Sequence, residues 1–510
     1  MDLFTLNADV LTIILSLVDP YDAFQLSLTC RAAQAIAVPR FLEAVVFKFP
    51  LPWLCSPNAR RSPLAYPELY ECFRTYMFAH GSNRLRQLKS LTLAEDAFCI
   101  QYGSQHLEPP RYTFTLAAPL ADVVRYAVEL RKIRIDHSEA IFDAAPQLAD
   151  AIANLPQLQE ICFFGADVST LELLSRTQSR PRKVELRIIE YSNTIETWWG
   201  QYVRGGNRFL SNFTESLEVL SLCGGLDIIE ELEPGTVWPA VVELRLARGP
   251  TANLQAMSCA FPNLRRLHLE CPPAAIVAPI DQWRALDFVF TTHPLPLQYP
   301  VRHLKMNWFS LGPYVPTPQH QALVDSTTVM LRNTQPIVLE CSACKSTYSC
   351  IARNAPSVRF LRITGAPSRH HTEKERQLTN DRADALLTYD FSLLKALPLK
   401  GIAIVLQRHR PWREIAHWEQ YAHVIATCIP TLEYVGLRQK AKAWAPVDQW
   451  DGPEPYVWYH VAERSGRIEP VVERMSDVEG EVVHSTLLGT MSQISRPRGG
   501  RAGQPNVQQC

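Results

Sequence analysis

No stretch of this chain approaches the ~18 consecutive apolar residues that a membrane-spanning helix requires, although 47% of its residues are hydrophobic. Net charge is missing as well. Among 510 residues, 51 Lys and Arg balance 51 Asp and Glu, so nothing global favours nucleic acid or an anionic membrane as partner. The 13 cysteines are odd in number and follow no regular spacing. That usage fits the reduced thiols of a cytoplasmic or nuclear protein better than a disulfide framework. A secretory leader is not expected either. The apolar run LTIILSLVDP is preceded by Asp2 and Asp9, the first basic residue is Arg31, and the run ends in Asp19-Pro20 instead of a small-residue cleavage site.

Catalytic signatures are equally scarce. There is no P-loop, no dinucleotide-binding glycine fingerprint, no G-x-S-x-G elbow and no H-E-x-x-H. The nearest approach to a metal site is CSACKSTYSC, with Cys341, Cys344 and Cys350. Structural zinc takes four ligands, and only one Cys-x-x-Cys pair exists here, with Cys341 at the end of a predicted strand. No metal, no cofactor and no catalytic residue is therefore expected.

What the chain does have is repetition. LPQLQEICF (155–163), WPAVVELRL (238–246), FPNLRRLHL (261–269), APSVRFLRI (355–363) and IPTLEYVGL (429–437) share one phase. Each reads apolar or Ala, Pro, any, apolar, two variable, apolar, any, apolar. Proline pushes the residue before it out of α geometry and so ends a helix. The L-x-L that follows is a strand with alternate side chains inward. Helical patterns such as AAPQLADAIANL and HWEQYAHVIATCI lie upstream of several copies. One strand plus one helix per unit predicts an irregular leucine-rich-repeat solenoid of the α/β class.

The N-terminus is of another kind. Asn7 is placed to cap a helix carrying Val10, Leu11, Ile13, Ile14, Leu15 and Leu17, which cover most of its circumference. Asp19-Pro20 ends it, Pro20 or Tyr21 starts a second helix with Phe24, Leu26 and Leu28, and a short third helix carries Ala33, Ile36 and Ala37. Three helices in some forty residues cannot bury that much apolar surface alone, so a partner is expected. The stretch resembles an F-box, through Leu6, Asp9, Val10, Leu11, Ile14, Leu15, Leu17, Asp22, Leu28, Cys30 and Arg31. It departs from the family pattern at Asn7, Ala23, Thr29 and Ala33, where Pro, Leu, Val and Trp are usual.

The resemblance implies the substrate receptor of an SCF-type ubiquitin ligase, not itself an enzyme. Leu6, Val10, Leu11, Ile14, Leu17 and Leu28 would contact the ligase's adaptor subunit, and through it the cullin, while the repeats would hold a protein substrate. The expected organisation is an F-box (1–48), a Pro-rich connector with a helix (49–80), the solenoid (81–440), a C-terminal capping hairpin with an acidic segment (441–485) and a disordered tail (486–510). On the concave face, residues between inward apolar positions should point outward: Thr92, Arg134, Cys162, Arg187, Ser221, Arg245, His268, Lys305, Arg362 and Gly436. Five of these ten are Arg or Lys and none is acidic, which makes Arg187, Arg245, His268, Lys305 and Arg362 candidate substrate contacts for an acidic or phosphorylated segment. The competing reading is a protein-binding repeat scaffold whose N-terminal helices only cap the first edge of the solenoid.

Overall fold

Proline-phased segments become strands throughout, as their spacing demands. In WPAVVELRL the four apolar positions Trp238, Val241, Leu244 and Leu246 are all buried, as are Phe261, Leu264, Leu267 and Leu269 one copy later. The computed structural model describes residues 6–48, 66–79, 83–101, 111–188, 208–224, 236–248, 252–272, 283, 286–307, 318–342, 345–364, 391–407, 418–440, 456–462 and 469–489. Most of the connector, the polar stretch 368–390, most of 197–209, Cys344 and the end of the chain from 490 lie outside them.

Two compact units divide the chain, Met1–Leu264 and Arg265–Cys510. The first opens with three helices, α1 (Ala8–Leu17), α2 (Pro20–Ser27) and α3 (Arg31–Glu43). Asn7 caps α1 by accepting from the Asp9 amide, Asp19 caps α2 by accepting from the Tyr21 amide, and Pro20 sits in the first turn of α2. The chain then runs directly from α3 into β1 (Ala44–Phe47). Six further strands follow: β2 (Ser90–Leu93), β3 (Lys132–Ile135), β4 (Glu160–Ala166), β5 (Lys183–Ile188), β6 (Val219–Cys223) and β7 (Glu243–Ala247). They pair in chain order and all in parallel. Parallel neighbours need a crossover, supplied among others by α4 (Tyr66–Phe78), α5 (Asn83–Gln87), α6 (Leu120–Tyr126), α7 (Ser138–Ala144), α8 (Pro146–Ala153) and α9 (Val168–Arg176).

The second unit repeats the scheme with β8 (Arg266–Leu269), β9 (Phe288–Thr291), β10 (His303–Met306), β11 (Val338–Ser342), β12 (Phe360–Thr364), β13 (Gly401–Gln407) and β14 (Tyr434–Lys440), again parallel and in chain order. Strand and helix alternate in both units, which is the α/β architecture of a leucine-rich-repeat solenoid. The last two strands, β15 (Val457–Ala462) and β16 (Val471–Arg474), pair antiparallel to what precedes them. They form an antiparallel pair that covers the edge of β14. The acidic stretch after them is helical. It forms a helix of twelve residues, Asp477–Leu488, running into what the sequence assigns to a disordered tail.

Candidate functional site

α1 divides into two faces. Leu15 is buried and Leu11 half-buried, turned toward the other N-terminal helices. Val10, Ile13, Ile14 and Leu17, spaced i, i+3, i+4 and i+7, form a stripe whose exposures are 43, 62, 37 and 83%. Tyr21 on α2 and Leu28 just after it are exposed too. The helices beneath are firmly set. Ala23, Ala33, Ala37 and Leu42 are buried, the rings of Phe24 and Phe41 lie 4.9 Å apart, and Arg40 Nε donates to the Val18 carbonyl at 2.9 Å. Glu43, at the end of α3, accepts from Arg40 and from Lys89 just before β2. The Lys89 hydrogen bond holds this carboxyl below its ordinary value, with Arg40 helping against partial burial. The apolar stripe is therefore exposed on a rigid support.

Of the six residues assigned to adaptor contact, Val10, Ile14, Leu17 and Leu28 are exposed, while Leu6 and Leu11 are half-buried. Ile13 and Tyr21 were not among them. Ile13 was within reach of helical periodicity, since it lies three residues beyond Val10 and four before Leu17.

The sheet face that points away from the repeat helices carries the other candidates. Its register in the first unit aligns Arg134, Cys162, Glu185, Ser221 and Arg245. Arg187 lies one step further along, opposite Phe164, because β5 turns three residues inward (Val184, Leu186, Ile188) and Glu185 takes the place in the row. The arginines do not form a uniform cationic strip. Arg134 pairs with Asp136 at 3.3 Å, Arg245 donates to Glu243 at 2.6 Å, and Arg134 and Arg187 both stand over the Phe164 ring, 4.5 and 4.8 Å from its centroid. Cys162 in the same row is buried; burial, with Glu185 adding to it, pushes its thiol up to about 11 and keeps it protonated.

In the second unit the corresponding row reads His268, Phe290, Lys305, Glu340, Arg362, Ala403, Gly436 and Trp458. His268 is half-buried, 4.8 Å from the Phe288 ring. Glu340 is the centre of a cluster: His303 Nε2 lies 2.9 Å from it, Arg362 3.2 Å and Lys305 3.8 Å. Burial alone would raise this carboxyl, but the His303 hydrogen bond and the charges of Arg362 and Lys305 outweigh burial and hold it well below the carboxylate range. Arg362 is only 8% exposed.

No family model matches this chain, and no curated protein matches it. Among the described residues no three His, Cys, Asp or Glu come together as a metal site, and no helix is long and apolar enough to cross a membrane. Cys341 is buried at the end of β11 and Cys350 lies on the helix that follows, while Cys344 falls outside the described residues. The carboxylates Glu139 and Asp143, close to the start of α9, have structural work: Glu139 accepts from the amides of Asp167, Ser169 and Thr170, and Asp143 from the Ser169 hydroxyl.

Proposed function

We propose that this chain is the substrate-recognition subunit of an SCF-type ubiquitin ligase, with α1–α3 as its F-box and the repeats as its substrate platform. The observation that carries the reading is the stripe Val10, Ile13, Ile14 and Leu17, apolar and exposed on a helix whose opposite side is already packed. Burying one such side chain against a partner contributes about 1.5–3 kcal/mol, so four of them can offset a large part of the association entropy. In this reading the chain contributes position and no nucleophile. Holding a target beside a charged conjugating enzyme raises the local concentration of its acceptor lysine to the order of millimolar. The parts of the repeat face open to a substrate include Arg187 and Arg245 in the first unit and, half-buried, His268 and Lys305 in the second.

The test is co-purification of the full-length chain with the adaptor subunit. Ile14→Asp and Ile13→Asp place a charge on the exposed stripe, and Ile13, at 62% exposure against 37% for Ile14, touches the rest of the fold less. Both variants should melt as the parent does and retain less than about a tenth of the adaptor, a loss of at least ~1.4 kcal/mol. A folded Ile14→Asp chain that still brings down the adaptor sinks the proposal. The scaffold reading draws support from the direct passage of α3 into β1, the edge strand of the first unit. It predicts that even the parent chain fails to retain the adaptor.

A further inference from the structure

β8, β9 and β10 place six side chains on the sheet face that points away from the repeat helices, in a lattice of three strands by two steps. Register sets Arg266, Phe288 and His303 in one row and His268, Phe290 and Lys305 in the next. The phenylalanines form the middle column, the two basic side chains occupy one diagonal, and the two histidines occupy the other. Phe288 has His268 on one side and His303 on the other, with ring centroids 4.8 Å apart in each case. The Arg266 guanidinium stands 5.9 Å from the Phe288 centroid and the Lys305 ammonium 5.3 Å from that of Phe290. Arg266 is exposed, His268, Phe288, His303 and Lys305 are half-buried, and Phe290 is the buried floor. The apolar packing of the helix Asp477–Leu488 begins only at Val338, the β11 neighbour of His303.

The lattice is cationic above this floor. Arg266 and Lys305 carry fixed positive charge, and Arg362 on β12 adds a third. Against them stand Glu340, buried and shared by His303, Lys305 and Arg362, and Glu270, exposed just past β8. Lys305 is the most distant of the three partners of Glu340, at 3.8 Å against 2.9 and 3.2 Å, and its side chain is 30% exposed. Its charge is therefore within reach of a second carboxylate. Arg266 and Lys305 are two strands and two residues apart, about 12 Å on a pleated sheet. An extended peptide covers about 13 Å in four residues, with alternate side chains on one side. Carboxylates four positions apart thus match the two cations, and the residue midway between them falls on the phenylalanine column. Single-stranded nucleic acid fits less well, because it needs open aromatic faces to stack on. Here Arg266 and Lys305 stand over the rings, and His303 meets Phe288 edge to face, at 84°.

We propose that β8–β10 form the recognition site for an extended acidic segment of the recruited protein, with the pattern carboxylate, any, apolar, any, carboxylate. Arg266 and Lys305 hold its two ends, and Phe288 receives the apolar side chain between His268 and His303. The proposal rests on the receptor reading only in naming the recruited protein as the source of the segment.

Three labelled peptides test it by fluorescence anisotropy on the full-length chain without adaptor: GESLSEG, its apolar-free form GESSSEG, and its charge-reversed form GKSLSKG. The parent should bind GESLSEG, bind GESSSEG several-fold more weakly, and leave GKSLSKG free. Arg266→Glu alters an exposed side chain, and Lys305→Gln leaves Glu340 with His303 and Arg362. Both variants should melt as the parent does. Arg266→Glu should weaken GESLSEG roughly tenfold and Lys305→Gln roughly fivefold, each the worth of one charge-assisted contact. Arg332→Glu, an exposed change on the helix Pro318–Thr334, should leave the affinity unaltered and so exclude a merely global charge effect. Equal binding of the acidic and basic peptides overturns the proposal, as does equal binding of GESLSEG by the parent and both folded lattice variants. No binding by the parent up to about 1 mM also overturns it. A labelled oligodeoxythymidine that binds in preference to GESLSEG, and is lost in Arg266→Glu, would give the lattice to single-stranded nucleic acid instead. The adaptor face is tested separately: Ile14→Asp should bind GESLSEG as the parent does, whatever becomes of the adaptor.

Discussion

Glu340 and His484 are depressed in pKa for opposite physical reasons, and the two make different predictions. Glu340 is buried but ionised, held so by His303, Arg362 and Lys305. Its folded value lies below its unfolded one, so its stabilisation is present above about pH 4 and is lost as pH falls toward the depressed value. Replacing it with leucine leaves Arg362 in a buried site without this partner, and should cost about 3–5 kcal/mol, read as a lowered denaturant midpoint. His484 is buried in its neutral form. Its unfolded value, near 6.5, exceeds its folded one, so docking of the helix Asp477–Leu488 is at full strength above that pH and weakens as pH falls below it. Arg362, Arg438, Glu340 and Tyr456 face it from the sheet and Glu481 from its own helix. Amide exchange of Asp477–Leu488 should accelerate below about pH 6.5, and His484→Gln should flatten that dependence.

Helices differed in how well the sequence announced them. The starts of α1 and α2 were legible to within a residue because their caps are local chemistry: Asn7, Asp19 and Pro20 act through neighbours one or two positions away. The helix Asp477–Leu488 was not, since a glycine and two adjacent valines weaken its propensity and its packing residues lie far away in sequence. One signal was available. Ser476 and Glu479 form a reciprocal capping box, a pattern visible as S-x-x-E. Arg187 points outward but sits one step off the row for a related reason: β5 has three inward residues, and choosing which pair of them aligns with the neighbouring strand needs the register itself. The glycine of β14 is the sharpest element-scale test. A Cβ on Gly436 would meet the Trp458 ring at 2.9 Å, so Gly436→Val should destabilise by about 1–3 kcal/mol, seen as a lower melting temperature.

At the scale of the chain, the repeats were legible wherever proline and strand kept their distance. β13 escaped the pattern because Pro398 precedes its first inward residue, Ile402, by four positions, whereas Pro239 precedes Leu244 by five. Its side chains are buried all the same: Leu397, Leu399, Ile402 and Ile404. Stability in such arrays is a sum of units and their nearest-neighbour contacts. Leu361→Ala, at a fully buried site of β12, should cost about 2–5 kcal/mol. Hydrogen exchange should speed up in β11–β13 and leave β8 and β9 nearly unchanged. The antiparallel hairpin at the far end has its own consequence. A parallel ladder left open would present slanted donors and acceptors ready to template another copy, the route to fibrils. Reversed twice after β14, the chain ends the ladder on a strand of only four residues whose Glu473 and Arg474 are exposed, so shortness and charge, not polarity, discourage an incoming strand, and lengthening this protein by duplication would have to insert new units upstream of Val457.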